Sequence, residues 1–364
     1  MISFGMSEDQ QLVRDSMREF AADAIRPLGR ECDEASSIPG DFLQTVWDLG
    51  LTSTQIPAAY GGGGEDRSPV TNAILLEELA HGDAALALAA TAPSQFANAL
   101  VDHGTEAQKK KYLPMFCGDS FHAASLAILE PGPVSDALRP RTVAEPKNDG
   151  FVISGAKSFV VFGDRASHFL VLARNDDRVD AFIVPRDARG LTISAPELNM
   201  GLKGVTTVSL ELERVEVPAA DRLGGAEGAD VVRLVNNGRV ALGAIMLGLS
   251  RAVLEYCIPY TKDRVAFDEP ISKKQTIAFR LADMLIECDA MRHLVWQAAS
   301  RLEQGLDATK QARFVKTYVS EKALWIADNG IQMLGGHGFI REHPVEMWFR
   351  HARTLGVLEG AASV

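Results

Sequence analysis

The sequence predicts an α+β protein of three successive units. These are an N-terminal helical domain over residues 1–124, a central small β-barrel or sandwich over 125–226, and a C-terminal four-helix-bundle-like domain over 227–364. Three observations carry the prediction. At 364 residues the chain exceeds what one hydrophobic core ordinarily supports. Its apolar residues recur with a helical period at both ends and in short β-type runs between them. Gly, Asp and Asn turns separate those runs.

From Ser7 to about Ala124 the pattern is helical: Leu12, Val13, Met17 and Phe20 recur at three- and four-residue steps, as do Phe42, Val46, Trp47 and Leu49. Residues 61–64, four glycines, interrupt it before a helix through Leu75, Leu76 and Leu79. Such a run invites a phosphate-loop reading, but no Lys-Ser or Lys-Thr follows and no clear strand precedes, so a flexible helix connection is expected. Between about Ser125 and Leu223, short strands are predicted at 151–153, 169–172, 181–184 and 208–217. From Asp230 the helical period returns, over 241–256, 275–302 and 308–334. No internal repeat or low-complexity segment is present.

With 46% hydrophobic and 23% charged residues the chain reads as soluble and globular. A formal charge of −11 argues against nucleic acid as a partner, which needs a clustered basic surface. It leaves room for an anionic cofactor held by a few arginines. Cys32, Cys117, Cys257 and Cys288 are isolated, with no CxxC, and read as reduced core thiols of a cytoplasmic protein. Residues 1–20 read as the start of an amphipathic, acidic helix rather than a signal sequence. The longest apolar stretch, around 84–92, is expected to be too short to cross a bilayer. His337, His343 and His351 match no usual ligand spacing and no cysteine accompanies them, so no metal site is expected.

The segment from Ile331 to Ala362 is the most informative. It contains Gln332, Gly335, Gly336 and Phe339, then Pro344 to Glu346, Arg350, Arg353 and Glu359-Gly360. Taken alone, Glu359 is an acid near the end of the sequence, and most glutamates are exposed. Its neighbours Val357, Leu358, Ala361 and Ala362 are apolar or small, and a partly dehydrated carboxylate is a stronger base toward carbon acids. In this order the residues resemble the end of an acyl-CoA dehydrogenase. The resemblance extends over essentially the whole chain, through Tyr60-Gly61-Gly62 and Tyr112-Leu113-Pro114 near the N-terminus and the helical, β, helical order.

The resemblance implies that Glu359 is the catalytic base, that FAD is the cofactor, and that acyl-CoA and an electron-transferring flavoprotein are the partners. The implied reaction is α,β-dehydrogenation of an acyl-CoA thioester to a trans-2-enoyl-CoA. Arg239 falls where the family places an arginine near substrate and base; some members carry the base immediately before it, where this chain has Gly238. Arg264, Phe267, Pro270, Ile271 and Gln275 match a pattern that reaches the flavin of a neighbouring subunit, and Gln332, Gly335 and Gly336 would pack around its adenosine end. A homotetramer or dimer is therefore expected.

In the β domain the flavin-facing turn is Leu129-Glu130-Pro131-Gly132-Pro133-Val134-Ser135-Asp136, with Ser135 expected beside cofactor and substrate. The second flavin segment is 157–163, in which Phe159 and Val161 take the ring-facing positions. Leu129 and Val161 stand where the family has hydroxyls, and Val134 where it has glycine. These three departures raise an alternative, a non-catalytic or half-site subunit that completes the flavin site of a different chain in a mixed oligomer. GxGxxG after a strand is missing, so a Rossmann site is not expected.

Overall fold

The computed structural model describes residues 5–364; residues 1–4, the beginning of the stretch read as an amphipathic helix start, lie outside them. Helix α1 (Glu8–Phe20) starts where Ser7 Oγ accepts the Gln10 N–H at 3.1 Å and Gln10 Oε1 accepts the Ser7 N–H at 3.1 Å, a reciprocal cap for two otherwise orphaned donors. Then come α2 (Gly29–Ala35), α3 (Gly40–Asp48), α4 (Pro69–Gly82), α5 (Ala84–His103) and α6 (Glu106–Tyr112). The glycine run 61–64 is a packing turn. A Cβ on Gly62 would stand 2.2 Å from Ile56 O, and the Gly63 and Gly64 N–H groups donate to Ser53 and Ile56 carbonyls, so neither is free for a phosphate.

The middle of the chain forms β1 (Ser125–Ala127), β2 (Val143–Lys147), β3 (Gly150–Val161), β4 (His168–Asn175), β5 (Arg178–Pro185), β6 (Leu191–Ile193) and β7 (Thr207–Pro218). They make one seven-stranded sheet in the order β1-β4-β2-β3-β7-β6, with β5 also on β4. β1 and β2 run parallel to β4; the other pairs are antiparallel. Both faces of β4 are buried: Phe169, Val171 and Ala173 enter the core of the β domain, while Leu170 and Leu172 pack with Phe96 and Leu100 of α5. That is why this strand reads as an unbroken apolar run rather than an alternation. The β3–β7 register slips between Lys157 and Val160, a bulge at which Phe159 takes φ 52°.

The C-terminal part comprises α7 (Val231–Asp263), a hairpin of β8 (Val265–Ala266) and β9 (Glu269–Pro270), then α8 (Gln275–Glu303), α9 (Thr309–Phe314), α10 (Ser320–Leu334) and α11 (Val345–Leu355). The single helix expected over 308–334 is interrupted by a π-helical turn, Val315–Val319. Gly243 of α7 admits this turn, since a Cβ there would lie 2.3 Å from Val315 Cγ1. Buried ion pairs tie the first and last parts together: Arg251 of α7 bonds Glu77 and Glu78 of α4 at 2.8 Å each, and Arg292 of α8 reaches Glu77 at 2.9 Å.

One expectation is corrected. The apolar stretch around 84–92 belongs to the 20-residue α5, and both α5 and α7 are long and apolar enough to cross a bilayer. In the fold, 94% and 83% of their apolar windows are buried inside the protein, so α4, the sheet and the other helices meet those surfaces.

Candidate active site

Glu359 follows the end of α11 by four residues, in a turn closed by Val357 N–H to Thr354 O and Leu358 N–H to Leu355 O. Gly360 has φ 68°, and a Cβ there would stand 2.5 Å from Ile128 Cδ1. Glycine therefore does two things at this position: it takes a left-handed backbone and lets the turn press against the β domain. On the α7 side, a Cβ at Gly238 would lie 3.3 Å from Ala362 O. The turn is thus held between α7 and the segment that follows β1.

The Glu359 side chain is mostly buried, and Arg239 of α7 donates from Nε to Oε1 at 3.0 Å and to Oε2 at 3.4 Å. The carboxylate is thereby oriented by a planar charged donor. Behind the turn, Lys316 in the π-helical segment donates from Nζ to the carbonyls of Gly356, at 3.2 Å, and Leu358. Burial pushes the Lys316 ammonium below its ordinary range, Glu359 pulls it upward, and Arg239 pushes it down.

Ile128 joins this turn to the expected flavin cradle. Lys157 of β3 is fully buried and donates from Nζ to Glu130 Oε1 at 3.0 Å and to Ile128 O at 3.3 Å. Glu130 also accepts from the Thr142 hydroxyl at 2.6 Å and from the Arg141 and Thr142 N–H groups. Burial opposes its charge, yet Lys157 and these donors outweigh it and hold the carboxyl at about 2. Burial in turn pushes Lys157 down to about 8 against the pull of Glu130.

Around this pair lie the sequence-predicted cradle residues. Leu129 O accepts the Ser158 N–H at 2.9 Å. Ser135 Oγ accepts the Glu130 N–H at 3.0 Å, which leaves its own hydroxyl proton to donate. Phe159 is half-buried at the bulge, whereas Val161 is buried in the main core with its carbonyl bonded by Ser125 Oγ at 2.6 Å. Val134 stands 77% exposed.

The expected cross-subunit residues gather elsewhere. Arg264, Phe267, Gln332, Gly335 and Gly336 line one open cleft of about 420 Å³ that shares no lining residue with the Glu359 turn. Phe267 is 88% exposed, and both it and Asp268, where the resemblance expects glycine, have positive φ. Gln275 begins α8 next to the lining residue Lys274 but does not line the cleft. A Cβ at Gly335 or Gly336 would meet nothing within 4 Å, so backbone is open to a ligand there. Among the described residues no ion pair engages Arg264. A guanidinium beside open glycine backbone fits a pyrophosphate, so this half of the chain fits FAD. The histidines are engaged as hydrogen-bonding side chains: Nδ1 of His337 bonds Tyr260, that of His343 bonds Tyr256, and that of His351 accepts the Leu202 N–H at 2.9 Å.

Four residues at the site escaped sequence reasoning. Lys316, Ile128 and the Glu130–Lys157 pair look ordinary in the chain, and only Lys316, a charge set among the apolar positions Val315 and Val319, carried a signal.

The helical, β, helical order, with Glu359 on a turn packed against the β domain and a separate anion-suited cleft, fits a flavin-dependent oxidoreductase, the class to which the family matches assign the chain. The acyl-CoA dehydrogenase C-terminal, N-terminal and middle domain models match residues 227–364, 7–119 and 125–215. The chain belongs to the acyl-CoA dehydrogenase family, whose members are FAD flavoproteins, and it is an enzyme of that class. It is 32% identical over 368 residues to an acyl-CoA dehydrogenase of Bacillus subtilis, covering 99% of this chain and 96% of the relative. Butyryl-CoA dehydrogenase from Megasphaera elsdenii has a similar structure, with TM-score 0.88 and 30% identity over 99% of this chain and 96% of that one. A chain in the structure of the electron transferring flavoprotein of Acidaminococcus fermentans has TM-score 0.88 and 29% identity, with the same two coverages.

Proposed function

We propose that this protein dehydrogenates an acyl-CoA thioester to a trans-2-enoyl-CoA with Glu359 as the base, and that an electron-transferring flavoprotein takes the electrons. The observation that carries this is the Arg239-held Glu359 carboxylate on a turn pressed against Ile128, beside the cradle at Leu129, Ser135 and Phe159. Arg264, Gln332, Gly335 and Gly336 would hold the adenine-nucleotide end of FAD, with Phe267 and Gln275 beside them; Leu129, Ser135 and Phe159 would border its ring, whereas Val161, expected there too, lies in the core. When bound, FAD supplies the hydride acceptor.

The α-proton of a thioester is a weak acid, so its removal needs a carboxylate fixed in place and charge stabilisation at the thioester oxygen. Glu359 provides the first through Oε1 or Oε2, with Arg239 holding it on one side and Lys316 fixing the turn from behind. The Glu359 N–H offers a donor for the thioester oxygen. Leu358, Ala361 and Ala362, all buried, keep water from the turn.

Glu359→Gln should abolish turnover while FAD stays bound; a variant that still turns over an acyl-CoA removes Glu359 as the base. The second reading, a half-site subunit, is favoured by Val161, whose side chain lies in the core rather than offering a hydroxyl. The visible spectrum of the chain purified alone separates the two. Near-stoichiometric flavin bleached anaerobically by an acyl-CoA supports the dehydrogenase, and a colourless protein supports the half-site subunit. Exposed Phe279, Ile286 and Phe267 on and before α8 support a homotetramer or dimer, in which such surface is covered.

A further inference from the structure

We infer that Gln95 of α5 is a positioning residue for the base: through the Ala361 carbonyl it holds the far side of the turn that presents Glu359, with Arg67 as a second tether at Val364. This rests on the reading of Glu359 as the base.

Glu359 sits between two stretches of unequal internal support. On the near side, α11, the turn bonds at Val357 and Leu358, and Lys316 fix the chain up to Leu358. On the far side, residues 360–364 belong to no helix or strand, and among the described residues no backbone–backbone hydrogen bond engages them. Ala361 and Ala362 are buried but carry only methyl groups, so side-chain packing grips this stretch weakly. Gly360, at φ 68°, joins the two stretches, and glycine is the residue that resists backbone rotation least.

Two side chains from elsewhere supply the hold. Gln95 donates from Nε2 to Ala361 O at 2.7 Å, and Arg67 donates from Nη2 to Val364 O at 2.6 Å. Both are anchored. Gln95 is 1% exposed on α5, whose residues from Ala84 to Leu100 are all buried. Arg67 is pinned through Nε to Asp102 at 3.2 Å and through Nη1 to Gln55 at 2.9 Å. Asp102 in turn accepts from Asn237 of α7 at 3.3 Å, two positions before Arg239. The base is thus held at its carboxylate by Arg239, behind by Lys316 and ahead by Gln95.

The Gln95 amide suits positioning better than stability. Its Oε1 is buried without a partner, and a buried acceptor left bare costs at least as much as the bond from Nε2 gains. Gln95→Met, close in volume, removes that acceptor and strands Ala361 O instead, so one bare carbonyl replaces another. The denaturation midpoint should therefore stay where it is while the stretch after Glu359 loses its inner tether.

The test compares Gln95→Met with the wild-type holoenzyme on two readouts. Hydrogen exchange by mass spectrometry, without substrate, should quicken in the peptide covering residues 356–364 and not in peptides from α8. Anaerobic stopped-flow mixing uses whichever thioester, from butyryl-CoA to palmitoyl-CoA, bleaches the wild-type flavin fastest. Bleaching should slow about tenfold at saturation, with the half-saturating concentration within about twofold. A purely structural role would lower the amount of flavin bound, not the rate per flavin. Arg67→Lys, which keeps a cation beside Asp102 but not the fork, should slow bleaching about threefold, and it carries the test if Gln95→Met does not fold. Bleaching at the wild-type rate overturns the inference whether or not exchange quickens, and slower bleaching with unchanged exchange overturns the route through Ala361. Turnover by Glu359→Gln overturns the base assignment and this inference with it, whereas an inactive Glu359→Gln beside a Gln95→Met of wild-type rate overturns the inference alone.

Discussion

Arg239 Nε stands 3.0 Å from Oε1 and 3.4 Å from Oε2 of Glu359, although 120 positions separate them in sequence. The contact joins the long α7 helix to the turn after α11, two elements far apart in the chain. It fixes a carboxylate that would otherwise rotate freely about its side-chain bonds.

Arg239→Gln should therefore lower kcat by about a hundredfold, the scale of a misplaced catalytic group, with FAD still bound. Arg239→Lys should fall between, because a point cation on a flexible stem restores the charge but not the planar N–H geometry. Steady-state kinetics on one acyl-CoA decide it: a kcat within twofold of wild type for Arg239→Gln would show that the contact has no part in positioning the base.

The buried Lys157–Glu130 pair predicts a pH signature. Glu130 sits at about 2 in the folded protein against an ordinary 4.5, so its contribution to stability is complete above 4.5 and is lost as pH falls toward 2. Lys157 has the opposite sense: at about 8 against 10.5 it loses its proton more readily folded than unfolded, and its burial cost is relieved as pH rises across that interval. Glu130→Gln strands the ammonium and should destabilise the protein by about 3–5 kcal/mol at neutral pH. It should also flatten the loss of stability between pH 4.5 and 2. Denaturant titrations across that range check both parts, and an acid limb as steep as in wild type would exclude Glu130 as its source.

Gly238 precedes Arg239, at the position where some relatives by resemblance carry the base. Here a Cβ would lie 3.3 Å from Ala362 O and 3.8 Å from Gly360, so the segment after Glu359 occupies the approach. The exchange Gly238→Glu with Glu359→Gly should consequently leave less than about one per cent of activity, a misplacement larger than that of Arg239→Gln. Recovery of a tenth or more of wild-type kcat would show that the segment yields easily.

The three-part order, the long helices and the doubly buried β4 were legible because each writes a period into the chain: 3.6 in α7 and α8, and a continuous run in Phe169 to Leu172. The meeting of Arg239 with Glu359 agrees with the motif order, which sets an arginine beside that carboxylate. The π turn at Val315–Val319 was not legible, because a π turn keeps nearly helical side-chain spacing and the glycine that makes room for it, Gly243, lies in another helix. Nor was the meeting of Gly360 with Ile128, since apolar contact between distant segments leaves no local pattern.

Lys316 and Gly243 supply a prediction that links packing to the base. Gly243 lets the π turn approach α7, and the turn carries Lys316 to the carbonyls of Gly356 and Leu358 just before Glu359. Lys316→Met keeps most of the buried stem but leaves both carbonyls without their donor, at a cost of about 1–3 kcal/mol. Gly243→Ala adds a methyl 2.3 Å from Val315 Cγ1 and should cost a similar amount, about 1–3 kcal/mol, by forcing the turn outward. Both variants should also lower kcat, by about tenfold if the turn shifts by a fraction of an ångström, with KM changed far less. That split matters, because simple loss of stability would reduce the amount of folded enzyme without changing kcat per bound flavin. Kinetics normalised to flavin content, set beside denaturation midpoints, therefore separate the two roles: destabilised variants with wild-type kcat per flavin would make Lys316 a stabilising residue only, with no hold on Glu359.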